Sequence, residues 1–439
     1  MDGWRTDMGD REPLRIGGGV TPYFAFIGSF ILFVTLASSF YVQTESRTGD
    51  ATPAPYDLLL CLTMALFFAF GLKFPKQLRM PAILWGLFLL GYGFSGIGAP
   101  FIERVSNFML VSVYLVASTL FFASLVAAHP GRHLSTIWWA YVAAAVFASL
   151  LGVGAYFGLV PNGESFLLYS RVKSTFNDPN VFGPFLVAPI LFLVFRLSMS
   201  SNRWDLLLIP VVGILFLAIL LSFSRGAWGN LIVSGAIFLV LTWKTATSAR
   251  QITRLSVAMV AIIALGACVV VWALSSNVVS ELFEQRFSLT QSYDVSEDSG
   301  RFAVQEMALE TVLTHPLGVG PSQWAKIAPA DPHNVYLNIF LAGGWLSGFA
   351  FVGLVILTLY LGVRSAFVPS AIQGVQIVAV AAFAGHMGEA FIIDIDNWRH
   401  VYLLIGVIWG GIAVARTQKQ TGDSSTRERV APLRDGFAV

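Results

Sequence analysis

Long apolar runs holding at most one charged residue each constrain this chain more than any other feature. They recur at roughly 22–42, 56–72, 81–98, 107–128, 134–158, 181–195, 204–221, 226–243, 255–274, 335–362, 370–393 and 400–415. Most approach the ~20 residues that an α-helix needs to cross a bilayer. Lipid offers backbone N–H and C=O groups no partner, so a spanning segment must satisfy them internally. Membrane strands would instead show as alternating segments of about ten residues. The expected fold is therefore an all-α polytopic integral membrane protein with about twelve transmembrane helices. Composition agrees. Only 12% of the residues are charged, against about 25% in soluble domains.

The basic residues sort by side. The N-terminal segment, the even-numbered loops and the C-terminal tail carry 18 of the 27 Lys and Arg residues, and the odd-numbered loops carry 9. Positive charge is retained on the cytoplasmic side, so both termini are expected there and the odd loops outside. Residues 1–20 then read as a cytoplasmic N-terminal segment, 21–415 as the membrane domain and 416–439 as a disordered, basic cytoplasmic tail. The mixed-charge N-terminal segment lacks signal-peptide form, and no cleavable signal is expected. The two cysteines, Cys61 and Cys268, fall inside expected spans and read as small apolar fillers.

Four stretches on or beside the odd loops break the apolar pattern. "SRVKSTFNDPNVFGPFL" (170–186) carries Arg171 and Lys173, then Asp178-Pro179, a pair suited to starting a helix. "SFSRGAWG" (222–229) isolates Arg225 between two apolar runs. The longest loop, about 275–334, contains "YDVSEDSG" (293–300), which reads as mobile. "RFAVQEMALETVL" (301–313) then reads as an amphipathic helix, with Phe302, Ala303, Met307, Val312 and Leu313 on its apolar face and Glu306 and Glu310 elsewhere. "HPLGVG" ends that helix, and "DPHNVYL" closes the loop with a second Asp-Pro, Asp331-Pro332, at an expected helix start. The fourth stretch, "GHMGEAFIIDIDNWRH" (385–400), places His386 and Glu389 three apart near the end of a span, with Asp394, Asp396 and Arg399 at its border.

Helix N-termini facing outward and arginines on the same side make an anion site, and guanidinium forks suit phosphate oxygens. His333, next to them, titrates near neutral pH and can take or give a proton. Together they point to chemistry on a phosphorylated, lipid-linked substrate at the outer surface. Each residue alone also has a plain structural reading. A loop arginine can serve topology, and His386 with Glu389 fits an interhelical hydrogen bond. "DID" (394–396) resembles a metal-binding DxD in spelling only, and His129, His133, His315 and His400 read as ordinary.

In these stretches the chain resembles the O-antigen ligase/polymerase superfamily, the O-antigen ligase-related membrane glycosyltransferases that include exopolysaccharide polymerases. The resemblance rests on "STFNDPNVFGPFL", "SFSRGAW" and "GRFAVQEMALETVLTHPLGVG" leading to "DPHNVYLNIFLAGGWLSG", in that order, across about residues 165–400. It implies a GT-C-like fold in the bacterial inner membrane with one large periplasmic loop. It also implies transfer of a glycan from a polyprenyl (undecaprenyl) diphosphate carrier to an acceptor hydroxyl, inverting and without a metal or other cofactor. Arg225 and Arg301 match arginines that bind the diphosphate, His333 matches a histidine that assists the acceptor, and Arg171 matches a further basic position. The expected set is thus His333, Arg225 and Arg301 for catalysis. Arg171, Lys173, Asn180, Asn334, His386, Glu389 and Arg399 are expected to bind substrate. The expected partners are the lipid-linked glycan donor, a glycan or lipid A-core acceptor, the bilayer and a chain-length regulator, with no nucleic acid. The alternative from another class is a transporter or flippase of lipid-linked glycans.

Overall fold

The computed structural model describes residues 22–38, 54–199, 203–275 and 300–430. The segment 1–20, most of "YDVSEDSG" and the last residues of the tail lie outside them. The chain enters through α1 (Pro22–Ala37), α2 (Pro55–Ala69), α3 (Arg79–Gly96), α4 (Ile102–Ala128) and α5 (Pro130–Tyr156). A two-residue antiparallel ribbon follows, with β1 (Leu167–Leu168) paired to β2 (Arg171–Val172). Next come α6 (Pro179–Phe185), α7 (Val187–Met199), α8 (Leu208–Leu221), α9 (Arg225–Thr245) and α10 (Ala249–Leu274). The last four are α11 (Arg301–Thr314), α12 (Val335–Ala366), α13 (Gln373–Glu389) and α14 (Arg399–Val430).

Among the described residues, eight helical segments are long and apolar enough to cross a membrane, α6 and α7 counting together as one. The chain is thus a nearly all-helical, multi-pass membrane protein. Its outer flanks carry exposed Leu58, Leu62, Ile83, Leu110, Ile232 and Phe349, because lipid rather than protein covers them. Between helices, small residues allow close approach. A Cβ at Gly91 of α3 would sit 2.7 Å from the Gly343 carbonyl of α12, where Ser347 Oγ donates to Phe88 O at 2.7 Å.

Three expectations change here. The run 335–362 is not one straight span. α12 breaks at Gly344 (φ 66°, ψ −168°), a backbone conformation open only to glycine. The loop 315–320 fills the break, with Val319 N–H donating to Leu341 O at 2.7 Å and Trp345 N–H to Pro316 O at 2.9 Å. Backbone groups freed by the break are therefore paired within the protein, as a membrane helix requires. The run 370–393 ends early, at Glu389, because the chain turns at Ala390, whose carbonyl accepts Val335 N–H at 3.0 Å. The tail from Arg416 continues as helix through Val430. Once a long span has nucleated a helix, each further turn adds hydrogen bonds at small cost.

Candidate functional site

The caps of three helices meet at one end of the bundle. Asp178 caps α6, its carboxylate accepting Asn180 N–H at 2.6 Å, with Pro179 at the first helical position. This is the arrangement the Asp-Pro pair predicts. Ser224 caps α9 through Ala227 N–H at 3.3 Å, which leaves Arg225 as the first residue of that helix. At α12 the second Asp-Pro is not the cap. Asn334 is, its Oδ1 accepting Tyr336 N–H at 3.1 Å and Leu337 N–H at 3.2 Å. His333 is in the left-handed region (φ 46°), and that turn sets Asp331-Pro332 back from the helix start.

Local contacts tie the expected residues together. Arg171, on β2, is buried, with Nε donating to Ser222 O at 2.9 Å and an Nη to Asn180 Oδ1 at 2.8 Å. It thus joins the ribbon to α6 and to the turn that precedes Arg225. Lys173 follows it, half-buried. Glu389, at the end of α13, is buried against the first turn of α9, where a Cβ on Gly226 would come within 2.6 Å of Glu389 Oε1. Asn230 Nδ2 donates to the other carboxylate oxygen at 2.8 Å, and Ser234 Oγ donates to Asn230 Oδ1 at 2.8 Å. The pairing of α13 with α12 at Ala390 then brings His333 to the same end.

His333 has a partner that its own neighbourhood in sequence does not contain. Its Nδ1 lies 3.6 Å from Asp394 Oδ2, with the imidazole 48% exposed and the carboxylate 22%. The nearby Asp394 carboxylate raises the His333 pKa above the ordinary imidazole value, against burial and the opposing charge of Arg301. That opposition places the Arg301 guanidinium within electrostatic reach of the ring. A bond from Gln305 Nε2 to Pro332 O, 3.0 Å, ties α11 to the segment just before His333. Burial and the Asp394 charge raise the carboxyl of Asp331 as well.

The buried face of α11 matches the expected one in part: Val312 is buried and Met307 packs against the same cluster. Val304, Ala308 and Val312 face inward with Trp324 and Leu341, while Phe302 and Leu313 are exposed. Glu306 and Glu310 lie outside the packed face, as expected. A strict i, i+4 stripe is narrower than the broad apolar arc read from the sequence, and α12 selects which side of that arc it covers.

Arg399 and His386 have other neighbours. Arg399 forks onto Asp57 of α2, Nε to Oδ1 at 2.6 Å and Nη2 to Oδ2 at 2.5 Å. Asp57 also accepts Ala54 N–H at 2.8 Å, so one carboxylate caps α2 and holds the start of α14. His386 is fully buried, its Nδ1–H donating to Ala382 O at 2.7 Å. In a neutral ring that leaves Nε2 as an acceptor, and it faces His400 Nε2 at 3.2 Å. His400, read as ordinary from sequence, is therefore the donor of a paired set.

Beside these residues is a cavity of about 290 Å³. Tyr56, Asn177, Asp394, Asp396, Asn397, Trp398, Arg399 and His400 contribute to its walls, with Tyr141 and apolar residues completing them. Asp396 accepts from Asn338 Nδ2 at 3.3 Å, and burial with the nearby Asp394 charge pushes its pKa up to about 7. Among the described residues no group of three His, Cys, Asp or Glu side chains is spaced to share a metal ion.

Asp57, Asp394, Asp396, Asn230 and His400 are the polar residues that sequence reasoning passed over as site members. "DID" was the one visible signal, since two aspartates at a span border are expensive unless paired. Its partners come from distant helices.

The fold and this end of the bundle define a multi-pass helical membrane protein with a polar, arginine- and histidine-bearing site where several helices begin. Residues 209–352, which include Arg225, Arg301, His333 and Asn334, match the family described as O-antigen ligase. This part of the chain is thus similar to the O-antigen ligase family, which supports a glycosyl-transfer enzyme of surface-polysaccharide synthesis. No curated protein matches the chain.

Proposed function

We propose that this protein transfers a glycan from a polyprenyl diphosphate carrier to an acceptor hydroxyl at the periplasmic face of the bacterial inner membrane. The product is either a longer surface polysaccharide or a glycan ligated to lipid A-core. The observation that carries this reading is the pairing of His333 with Asp394, held beside α11, which starts at Arg301, and at the same bundle end as the helix starts that bear Arg225 and Asn180.

Arg225 and Arg301 hold the diphosphate and stabilise the charge that grows on it as the glycosidic C–O bond breaks. Buried Arg171 fixes the start of α6 and the turn before Arg225, and adds its positive charge to the site. Lys173 adds positive charge at the same face. The acceptor oxygen attacks the anomeric carbon from the opposite side, which inverts it. The acceptor proton passes to His333, held in orientation by Asp394. Polyprenyl diphosphate leaves. Fixed guanidinium charges supply what a divalent cation supplies in metal-dependent transferases. Asn334 sets the start of α12 beneath His333. Glu389 positions the first turn of α9, Arg399 locks α14 to α2, and His386 orients His400.

The test is glycan transfer in membranes from single Arg225→Ala, Arg301→Ala and His333→Ala variants, with protein level monitored. Each is expected to lose about 100-fold or more, and EDTA is expected to leave wild-type transfer unchanged. Full activity in all three variants would falsify the mechanism. A vesicle assay that registers lipid movement without a new glycosidic bond would favour a flippase.

A further inference from the structure

We infer that the cavity beside Asp394 is a subsite for one uncharged pyranose ring, belonging to the acceptor side of the reaction. Sugar binding at this place stands on the cavity itself. The assignment to the acceptor rests on the transfer reading above.

Three observations carry it. At about 290 Å³ the space is at the lower end for ligand pockets and suits a single ring rather than a chain of sugars. The walls include two aromatic rings, Trp398 and Tyr56, beside planar hydrogen-bonding groups, Asn177, Asn397, Asp394 and Asp396. Aromatic faces take the C–H side of a pyranose, and amides and carboxylates take its hydroxyls. Asp394 Oδ1 is buried and has no hydrogen-bond partner among the described residues, while Oδ2 faces His333. A carboxylate turns easily about its last torsion, so a hydroxyl entering the cavity can satisfy that oxygen. The same carboxylate then links the bound sugar to the base.

Charge decides which sugars fit. The guanidinium in the wall, Arg399, is already forked onto Asp57. The walls therefore present two carboxyl groups and no uncommitted arginine to the ligand. A phosphate or a uronate would be repelled, so this cavity does not share the diphosphate's work. Asp396, with its raised pKa, can both accept from and donate to a neutral hydroxyl near pH 7.

The experiment is saturation-transfer NMR on the purified full chain in nanodiscs, with methyl glycosides of glucose, N-acetylglucosamine and glucuronic acid and no donor lipid. Saturation of at least one neutral glycoside is expected, with the glucuronide weaker by about tenfold. Asp396→Asn and Trp398→Leu should each reduce the neutral signal, and unfolding is controlled by the melting temperature of each variant. No neutral signal, an equal signal from the glucuronide, or an unchanged signal in both folded variants overturns the subsite. The assay contains no donor, so saturation with no transfer in any assay overturns the glycosyltransferase reading alone. In a transfer assay, Asp396→Asn should raise KM for the acceptor and leave that for the donor in place. A rise for the donor instead overturns the acceptor assignment.

Discussion

At the scale of single residues, the informative pair is His333 with Asp394. A base must be neutral to accept a proton, and Asp394 holds the His333 pKa above the ordinary imidazole value, with Asp331 adding to it and Arg301 opposing it. Transfer should therefore rise with pH through that raised value. Asp394→Asn removes the anion, lowers the His333 pKa and should move the acidic limb of the pH–rate profile to lower pH, while the plateau rate falls with the lost orientation. A limb that stays in place when Asp394 is neutralised would separate this carboxylate from the base. Arg399 makes a different prediction. Asp57→Ala leaves a largely buried guanidinium without its fork, and a loss of up to about 3 kcal/mol is expected in denaturant or thermal unfolding. His333 was legible in sequence because a titratable side chain at the edge of an apolar run is costly. Asp394 and Asp57 were not, because an ion pair between distant segments leaves no local pattern.

At the scale of elements, caps were readable and faces were not. Asp178-Pro179 announces α6 because capping chemistry is local to a few residues. The same dipeptide at Asp331 misleads, since the left-handed turn at His333 moves the cap to Asn334. The break in α12 hides inside "FLAGGWLSG", which reads as uninterrupted apolar helix until the loop from Pro316 to Val319 is seen to occupy it. Gly344→Ala tests that break. The backbone strain alone costs about 1–3 kcal/mol, and the new methyl would stand 2.5 Å from the Pro316 carbonyl oxygen. A sharply reduced melting temperature or yield is expected, and an unchanged one would mean that the break is not needed. For α11 the amphipathic pattern foretold a helix, yet tertiary packing on α12 chose Val304, Ala308 and Val312 as its inner face.

At the scale of the whole molecule, the distribution of Lys and Arg leads to the expectation that the end bearing His333 faces outside. Cysteine labelling checks this directly. Cys61 and Cys268 are free and exposed, so both can be replaced by Ala to give a silent background. A single cysteine at Leu317, 72% exposed beside the α12 break, should then react in intact cells with a membrane-impermeant maleimide. One at Lys244, at the opposite end of α9, should react only after the inner membrane is opened. The reverse pattern would invert the topology and remove the periplasmic reaction. What the sequence determined by itself was the multi-pass helical class, and it set out an expected sidedness and an expected set of site residues. Hydrophobic length, charge bias and capping are properties of contiguous residues. Only the tertiary structure decided which carboxylate meets His333, that Arg399 is committed to Asp57, that His400 pairs with His386, and that a cavity opens among them. Each of these depends on helices far apart in the chain arriving at the same end of the bundle, and packing between helices, not any local pattern, brings them there.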